Sequence, residues 1–380
     1  MLAASVYSSG GILLALGLMA LALLTFRVTT EYGAPTDMVY KDLLRAEEYR
    51  RTNERLEVFN AASGGCIVLA SDPARQAAVG GDFTETARFK PISDLVSRRD
   101  NANPGNAVNI AKLEMTGGKA VRTTCGCGPV SVTDIQARKA GKSFDMNAAM
   151  TNLGSQFADA KILKIRNNLL AAAVAAIDSA DTSATGVAAA DVHILNVARA
   201  KTAGARVTCT LARLNTLLNK MADAREDIKL FVIPSMIFAD LIADSIGNYK
   251  IDSIAGQTFA RDVIAALNRT VLVADIPALI AAQTSTYYTQ YGILGLGVGA
   301  LTATVVYDQG VEIARDILKE SSMTYVREDF DVEFEIYGMK WNSATTNPTD
   351  AQLATAGNWD EDYNDHRQLK IVKGVFNASA

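Results

Sequence analysis

The chain has 380 residues, of which 49% are hydrophobic and 21% charged, with a formal net charge of −4. This composition can bury a sizeable core and excludes a chain disordered throughout; the mildly acidic balance argues against a dedicated cationic DNA-binding surface. Only two histidines occur, His193 and His366, which excludes a multi-histidine metal site and removes most histidine-dependent catalysis.

The first stretch is the least typical. From Met1 to Phe26 there is no charged side chain, and Gly11–Phe26 is a run of sixteen mostly apolar residues. A spanning helix needs about 20. No Lys or Arg precedes Arg27, unlike a secretory leader, and the basic residues after it would hold the downstream chain on the cytoplasmic side of a membrane. A membrane anchor, a buried or processed arm of an assembly, and a leader or mis-assigned start all stay open for residues 1–26.

Residues 38–59 mix charge with apolar Met38, Leu43, Leu44, Leu56 and Phe59, which predicts a surface helix or an arm lying on a partner. Residues 62–130 are punctuated by glycine pairs and prolines and read as long hairpins and loops. So long a loop-rich stretch points outward, to a neighbour. Within it, Cys125-Gly126-Cys127 reads as a turn between extended segments. With no second cysteine pair it makes no structural zinc site, and four cysteines in this length fit a reducing compartment.

From Asp145 to Asp178 there is no proline and only one glycine, Gly154. Apolar residues recur at three-and-four spacing, which predicts one amphipathic helix of about 50 Å. The small-residue segment 178–191 follows, and then His193, set among apolar neighbours and read as a structural histidine rather than a base. A second helix is expected over Val207–Ala224. Lys229–Pro234 reads as a strand, with Ser235 capping a helix over Met236–Ser245. A helix over Phe259–Asn268 and a strand over Thr270–Pro277 come next. Residues 286–307 read as a glycine-laden apolar hairpin, made for close approach of backbones or subunits. Phe330–Tyr337 alternates strictly and predicts a half-buried antiparallel strand. Asn347 caps a short helix with Pro348 in its first turn, and Leu369–Phe376 is a last strand. Helices and strands are segregated rather than regularly alternating, so the fold class is α+β.

No phosphate-binding G-x-x-x-x-G-K-[ST] and no G-x-S-x-G nucleophile motif occurs, and Gly292–Gly299 lacks the acidic residue of a dinucleotide unit. No catalytic, cofactor-binding or metal-ligating set is therefore expected.

Four stretches carry a resemblance. They are LFVIPSMIFADLI (230–242), RTVLVADIPAL (269–279), YYTQYGILGLGVGAL (287–301), and FEIYGMKWN followed by NPTDAQLATAGNW (334–359). In this order they resemble tailed-bacteriophage major capsid proteins with the Hong Kong 97-type shell fold. The last is the most specific: Gly338, Trp341, Asn347, Pro348, Thr349, Leu353 and Trp359 match its pattern.

The resemblance implies a phage capsid shell fold with an N-terminal arm (27–65), an extended loop (80–127), a peripheral domain (128–227) with a spine helix (145–178), an axial domain (228–320), and further peripheral strands with the C-terminus (321–380). Segment 1–26 has no counterpart in the pattern. The implied function is a structural subunit that assembles with itself into pentamers and hexamers of an icosahedral head around double-stranded DNA. Scaffolding, portal and cement proteins are the implied partners, with no cofactor, no enzyme activity and no membrane. Such a protein is assembled in the host cytoplasm and resides in the virion. Phe83, Phe89, Ile92 and Leu95, in the loop, are the candidate subunit contacts. Lysine–asparagine crosslinks occur in some such shells. Lys90 lies in the loop and Asn342, Asn358 and Asn377 lie near the C-terminus, but Lys90 reads better as an ordinary solvated lysine. An encapsulin-like nanocompartment shell and a membrane-anchored envelope protein using residues 1–26 are the alternatives.

Overall fold

The structure, a computed structural model, describes residues 35–72, 81–89, 112–113, 115–133, 139, 146–183, 192–198, 201, 206–248, 269–284, 287–316, 318, 323–363 and 366–378. The uncharged start, Lys90, Ile92, Leu95 and the helix expected over Phe259–Asn268 lie outside these residues. Among the described residues no helix is long and apolar enough to cross a membrane.

The charged stretch after Pro35 is helical. Helix α1 spans Pro35–Ala62, with proline at the first helical position, where its missing N–H costs nothing. Its buried stripe runs through Leu44, Glu48, Thr52 and Leu56 at a strict spacing of four. Only apolar residues were expected there. Glu48 is instead sequestered and accepts a hydrogen bond from the Thr52 hydroxyl at 3.4 Å. The helix ends where Gly64 and Gly65 take left-handed φ of 60° and 74°. Asn60 then clamps the next segment, donating to the Leu69 carbonyl and accepting from the Leu69 N–H.

That segment is β1 (Ile67–Ser71). It is followed by β2 (Phe83–Phe89) and β3 (Met115–Thr133), which pair antiparallel from Phe83↔Val121 to Phe89↔Met115. The Cys125-Gly126-Cys127 turn is not formed, because these residues run within β3. A Cβ on Gly126 would lie 2.7 Å from the Asp329 carboxylate, and one on Gly128 would lie 2.7 Å from the Val326 carbonyl. Gly126 is there for close strand approach, and Gly128 in addition takes a φ of 89°, which favours glycine.

Helix α2 spans Met146–Ser183, longer than expected at about 57 Å. Its first half is amphipathic. From Ile165 to Ala180 burial runs almost all round the helix, and the alanine run leaves room for neighbours on every side. Strand β4 (Ile194–Asn196) follows. The helix expected over 207–224 is α-helical only as α3 (Leu211–Leu218), capped by Thr210. It continues as a 3-10 segment, Asn219–Asp227, interrupted by Ala222 at φ 46°.

Strand β5 (Ile228–Ile233) feeds helix α4 (Ser235–Asn248). Ser235 is not the cap but the first helical residue. The Asp275 carboxylate accepts from its N–H and its hydroxyl, each at 2.8 Å, after β6 (Thr270–Val273) has ended. The cap comes from forty residues away, beyond what local pattern shows. Next are β7 (Ile280–Ala281), β8 (Gln290–Gly297) and β9 (Leu301–Asp316). The hairpin expected over 286–307 is absent, since β8 and β9 belong to different sheets. Gly299, at φ 67°, turns the chain and donates to the Gly65 carbonyl, which sets β9 parallel to β1 from Ile67↔Leu301. Within β8, Gly295 is crowded by side chains, since a Cβ there would meet those of Val372, Ile228 and Phe231 within 2.7–3.2 Å, and a Cβ on Gly297 would lie 3.0 Å from the Asp227 backbone carbonyl.

The last elements are β10 (Met323–Ile336), β11 (Met339–Trp341), the short helix α5 (Asp350–Leu353), β12 (Trp359–Glu361) and β13 (Ile371–Asn377). A five-stranded sheet has the order β1-β9-β10-β3-β2. A second sheet has the order β4-β13-β8-β5-β6, with β7 attached to β8. A third is the pair β11-β12. The fold class is α+β, as expected.

The chain divides into two units. One consists of Met1–Asn53, Gly126–Ala160 and Gln309–Asp329, and its core joins Leu44, Met150, Phe157, Val311 and Val326. Here Gly154 matters. A Cβ at this position would lie 2.6 Å from the Leu44 carbonyl and 3.3 Å from the Glu48 N–H, so the two helices touch backbone to backbone. Gly154→Ala gains about 1 kcal/mol of helix propensity but must push the two helices apart, at a cost of about 1–3 kcal/mol. Net destabilisation is expected in thermal unfolding, and a raised melting temperature would refute the close crossing. The other unit consists of Glu54–Cys125, Lys161–Asp308 and Phe330–Ala380. Its main core packs Leu214, Leu217, Met221, Ile237 and Leu241 against Phe231, Ile293, Val372 and Phe376 of the β4–β6 sheet.

Candidate functional site

Two places concentrate the residues singled out in the sequence, and both lie within the second unit. The first is the motif around the paired tryptophans. Strands β11 and β12 pair antiparallel with Trp341 opposite Trp359. The two rings meet edge to face, centroids 5.2 Å apart at 82°, which is a favoured aromatic geometry. Both are almost fully buried. Trp359 donates through Nε1 to the Leu353 carbonyl at 3.0 Å, and its own carbonyl accepts from the Ser179 hydroxyl of α2 at 2.8 Å. Gly338 takes φ 84° with Leu369 against it, and its carbonyl accepts from the Asp362 N–H.

Asn347 does not cap the short helix. Thr349 does, in a reciprocal box: its hydroxyl accepts from the Gln352 N–H, and the Gln352 side chain accepts from the Thr349 N–H. Asn347 sits at φ 46° and accepts instead from the Thr124 N–H of β3 at 2.9 Å. Pro348 is buried between the two. Asp350, in the first turn, pairs with Lys164 and accepts from Asn168 at 2.9 Å, both on α2. The motif is thus a clasp. It ties α2, β3 and the C-terminal strands together.

The second place is the β2–β3 edge. Phe83 and Phe89 are separated by an even number of residues and share one face of β2. Phe83 is half-buried, with Lys119 Nζ 3.7 Å from its ring centroid, so its own hairpin covers it. Phe89 is 60% exposed, opposite Met115 at 63%, with Leu113 at 61% just before it. The sequence singled out Phe89 but not Leu113 or Met115. Their signal was two large apolar residues in a stretch with nothing else to bury.

Beneath that edge lies a polar link that the sequence did not reveal. Glu333 on β10 is 2% exposed. It accepts from the Thr84 hydroxyl of β2 at 2.5 Å and lies 3.6 Å from the Arg122 guanidinium of β3. The strict alternation of residues 330–337 assigned Glu333 to the solvent side. The structure buries it, with the Arg122 guanidinium of β3 and the Thr84 hydroxyl of β2 gathered around its carboxylate.

None of the four cysteines is in a disulfide, and burial pushes the thiols of Cys66, Cys125 and Cys209 up, which favours their protonated form at neutral pH. Of the asparagines near the C-terminus, Asn358 donates to the Gln352 carbonyl and Asn377 to the Thr289 carbonyl.

A chain that spends its most specific motif on an internal clasp and, among the described residues, exposes Phe89, Leu113 and Met115 side by side has the marks of an assembling structural protein. The model of the Gp13-like family, major capsid protein 13-like, matches residues 38–375, and the chain belongs to that family. It is a tailed-phage major capsid protein and a structural component of the virion shell. No curated protein is detectably similar in sequence. Among solved structures, the chain is similar to the cyanophage Pam1 capsid asymmetric unit, at 14% identity and TM-score 0.48, over 82% of this chain and 89% of that one. It is also similar to the capsid of Ralstonia phage GP4, at 9% identity and TM-score 0.49, over 83% and 88%. The capsid of Helicobacter pylori bacteriophage KHP30 matches at 11% identity and TM-score 0.44, over 82% and 88%. The nanocompartment and membrane-anchored readings draw no support from the family match.

Proposed function

We propose that this subunit builds an icosahedral head from pentamers and hexamers around double-stranded DNA and acts by assembly, without catalysis. It is put together in the host cytoplasm with scaffolding and portal proteins and, on the finished shell, cement proteins. In this reading residues 27–65 serve as arm, 80–127 as extended loop, 128–227 and 321–380 as peripheral domain and 228–320 as axial domain. DNA contact is weak and non-specific: a chain of net charge −4 confines its cargo rather than neutralising it.

The observation that carries this is the exposed trio Phe89, Leu113 and Met115 at the end of the β2–β3 edge. Each apolar side chain of this size is worth about 1.5–3 kcal/mol when fully buried, and a second copy of the chain is the occupant that a shell supplies. Phe83, Ile92 and Leu95 belong to the same proposed contact region. The test is Phe89→Ala, alone and with Met115→Ala. The isolated subunit should unfold at the wild-type temperature while the yield of closed particles, counted by electron microscopy, falls about tenfold or more. Wild-type particle yield from the double variant would remove the edge from the assembly interface.

A further inference from the structure

Charge is unevenly distributed along this chain. The stretches 192–222, 276–307 and 366–380 contain eight Lys and Arg and no Asp or Glu, in a chain whose net charge is −4. All three lie in the second unit, and they meet where β13 ends. Asn377, the last residue of that strand, joins them. Its N–H donates to the Val207 carbonyl at 3.0 Å, its side chain accepts from the Val207 N–H at 3.4 Å, and its amide donates to the Thr289 carbonyl at 3.3 Å.

This junction sets two cations on one turn. Thr284 and Tyr287 close the turn: the Tyr287 N–H donates to the Thr284 hydroxyl at 2.9 Å, and the Thr284 N–H donates to the Tyr287 carbonyl at 3.0 Å. Lys201 donates to the Thr284 carbonyl at 2.7 Å, and the Arg206 guanidinium lies over the Tyr288 ring, 4.9 Å from its centroid. Arg206 is exposed, and so is Tyr287 at 47%. Among the described residues no carboxylate pairs with Lys201 or Arg206, whereas Arg367 lies 3.5 Å from Asp223 and Lys373 lies 2.6 Å from Asp178. An ammonium has three donors and a stacked guanidinium keeps its in-plane donors, so both cations retain hydrogens for an anion.

We infer that Lys201 and Arg206, with the exposed Tyr287 beside them, touch the phosphate backbone of the packaged double-stranded DNA. This rests on the DNA-packaging reading above and names where the contact lies. Phosphate contacts come from Arg, Lys and Tyr side chains and carry no sequence information, which suits a shell that holds any stretch of its DNA. Carboxylates of a second copy would satisfy the same cations, but the exposed Glu226, Asp350 and Asp360 are already paired within the chain, with Arg269, Lys164 and Lys340. Two phosphate contacts make a weak grip, one that loosens about tenfold between 50 and 200 mM salt.

The test uses DNA-filled particles of the full-length protein, irradiated with ultraviolet light, digested and mapped by mass spectrometry. Nucleotide adducts should fall on the peptides that carry Lys201, Arg206, Tyr287 and Tyr288. In solution, the purified subunit should bind a mixed-sequence duplex with the salt dependence above, and Lys201→Gln with Arg206→Gln should weaken that binding about tenfold at the lower salt. Lys41→Gln with Lys340→Gln, an equal change of charge elsewhere in the chain, should leave it intact. The wild-type adduct map decides the matter if the first double variant does not fold. DNA-filled particles whose adducts all lie on other peptides, or that yield none, overturn the contact and leave the packaging reading standing. Unchanged duplex binding by the folded Lys201→Gln, Arg206→Gln variant overturns it as well. Closed particles without DNA overturn both the contact and the packaging reading. A carbodiimide-induced link from Lys201 to a carboxylate of a second copy overturns the contact and makes this face a subunit interface.

Discussion

Replacing Trp359 with alanine is expected to cost about 3–5 kcal/mol of stability. The ring is buried against Trp341, its N–H is spent on the Leu353 carbonyl, and its backbone carbonyl is held by Ser179 of α2. Truncation opens a cavity at the one point where β11, β12, α5 and α2 meet, and packing there cannot readily collapse around it. Trp359→Phe keeps an aromatic ring and loses the donor, so about 1–3 kcal/mol should remain lost through the unsatisfied carbonyl. Urea unfolding of the purified subunit measures both. Equal effects for Ala and Phe would mean that the hydrogen bond, not the packing, holds the clasp. A loss below about 1 kcal/mol for Ala would mean that the clasp is not a stability element.

Glu333→Ala should be of similar size, about 3–5 kcal/mol, for a different reason. It removes the counter-charge beside Arg122, which is 7% exposed, and the acceptor of the Thr84 hydroxyl. Breaking a buried pair from one side leaves a charge that folding has already desolvated. Glu333→Gln keeps the shape and the acceptor and should fall between wild type and alanine. Because Glu333 reaches across β3 to β2, the loss should also appear as faster hydrogen exchange along Phe83–Phe89. Wild-type exchange there in Glu333→Ala would show that β2 does not depend on this link. The double replacement Arg122→Met with Glu333→Leu separates the pair from its burial. If it recovers most of the stability, the ion pair is kept for strand register rather than for strength.

These two sites differ in how far they were legible beforehand. The tryptophans stood out because Gly338, Trp341, Asn347, Pro348, Thr349 and Trp359 form a local, specific pattern, and the structure places them within one clasp. Even so, the cap was assigned to Asn347, whereas the structure uses Thr349 and turns Asn347 towards β3. Cap chemistry was visible, but which polar residue would be drawn off by another strand was not. Glu333 was invisible as a buried residue. Alternation assigns a face, and it cannot tell that both faces of β10 are covered at that point.

Local physics fixed a good deal in this chain. The proline-free, alanine-rich stretch had to become a long helix, because its apolar spacing and low side-chain entropy cost allow little else. The α+β class and the family followed from elements and motifs that can be read one after another. What tertiary structure decided was every pairing over distance. Gly299 turns β9 away from β8 and onto β1, Asp275 caps a helix that begins forty residues earlier, and two isolated histidines come into contact. Such choices depend on which surfaces remain uncovered once the local elements have formed. The opening balance of few histidines and mild negative charge excluded a multi-histidine metal site and argued against a dedicated cationic DNA-binding surface. Only the folded chain showed that the two histidines it does have meet, His193 just before the edge strand β4 and His366 in the turn that leads into β13.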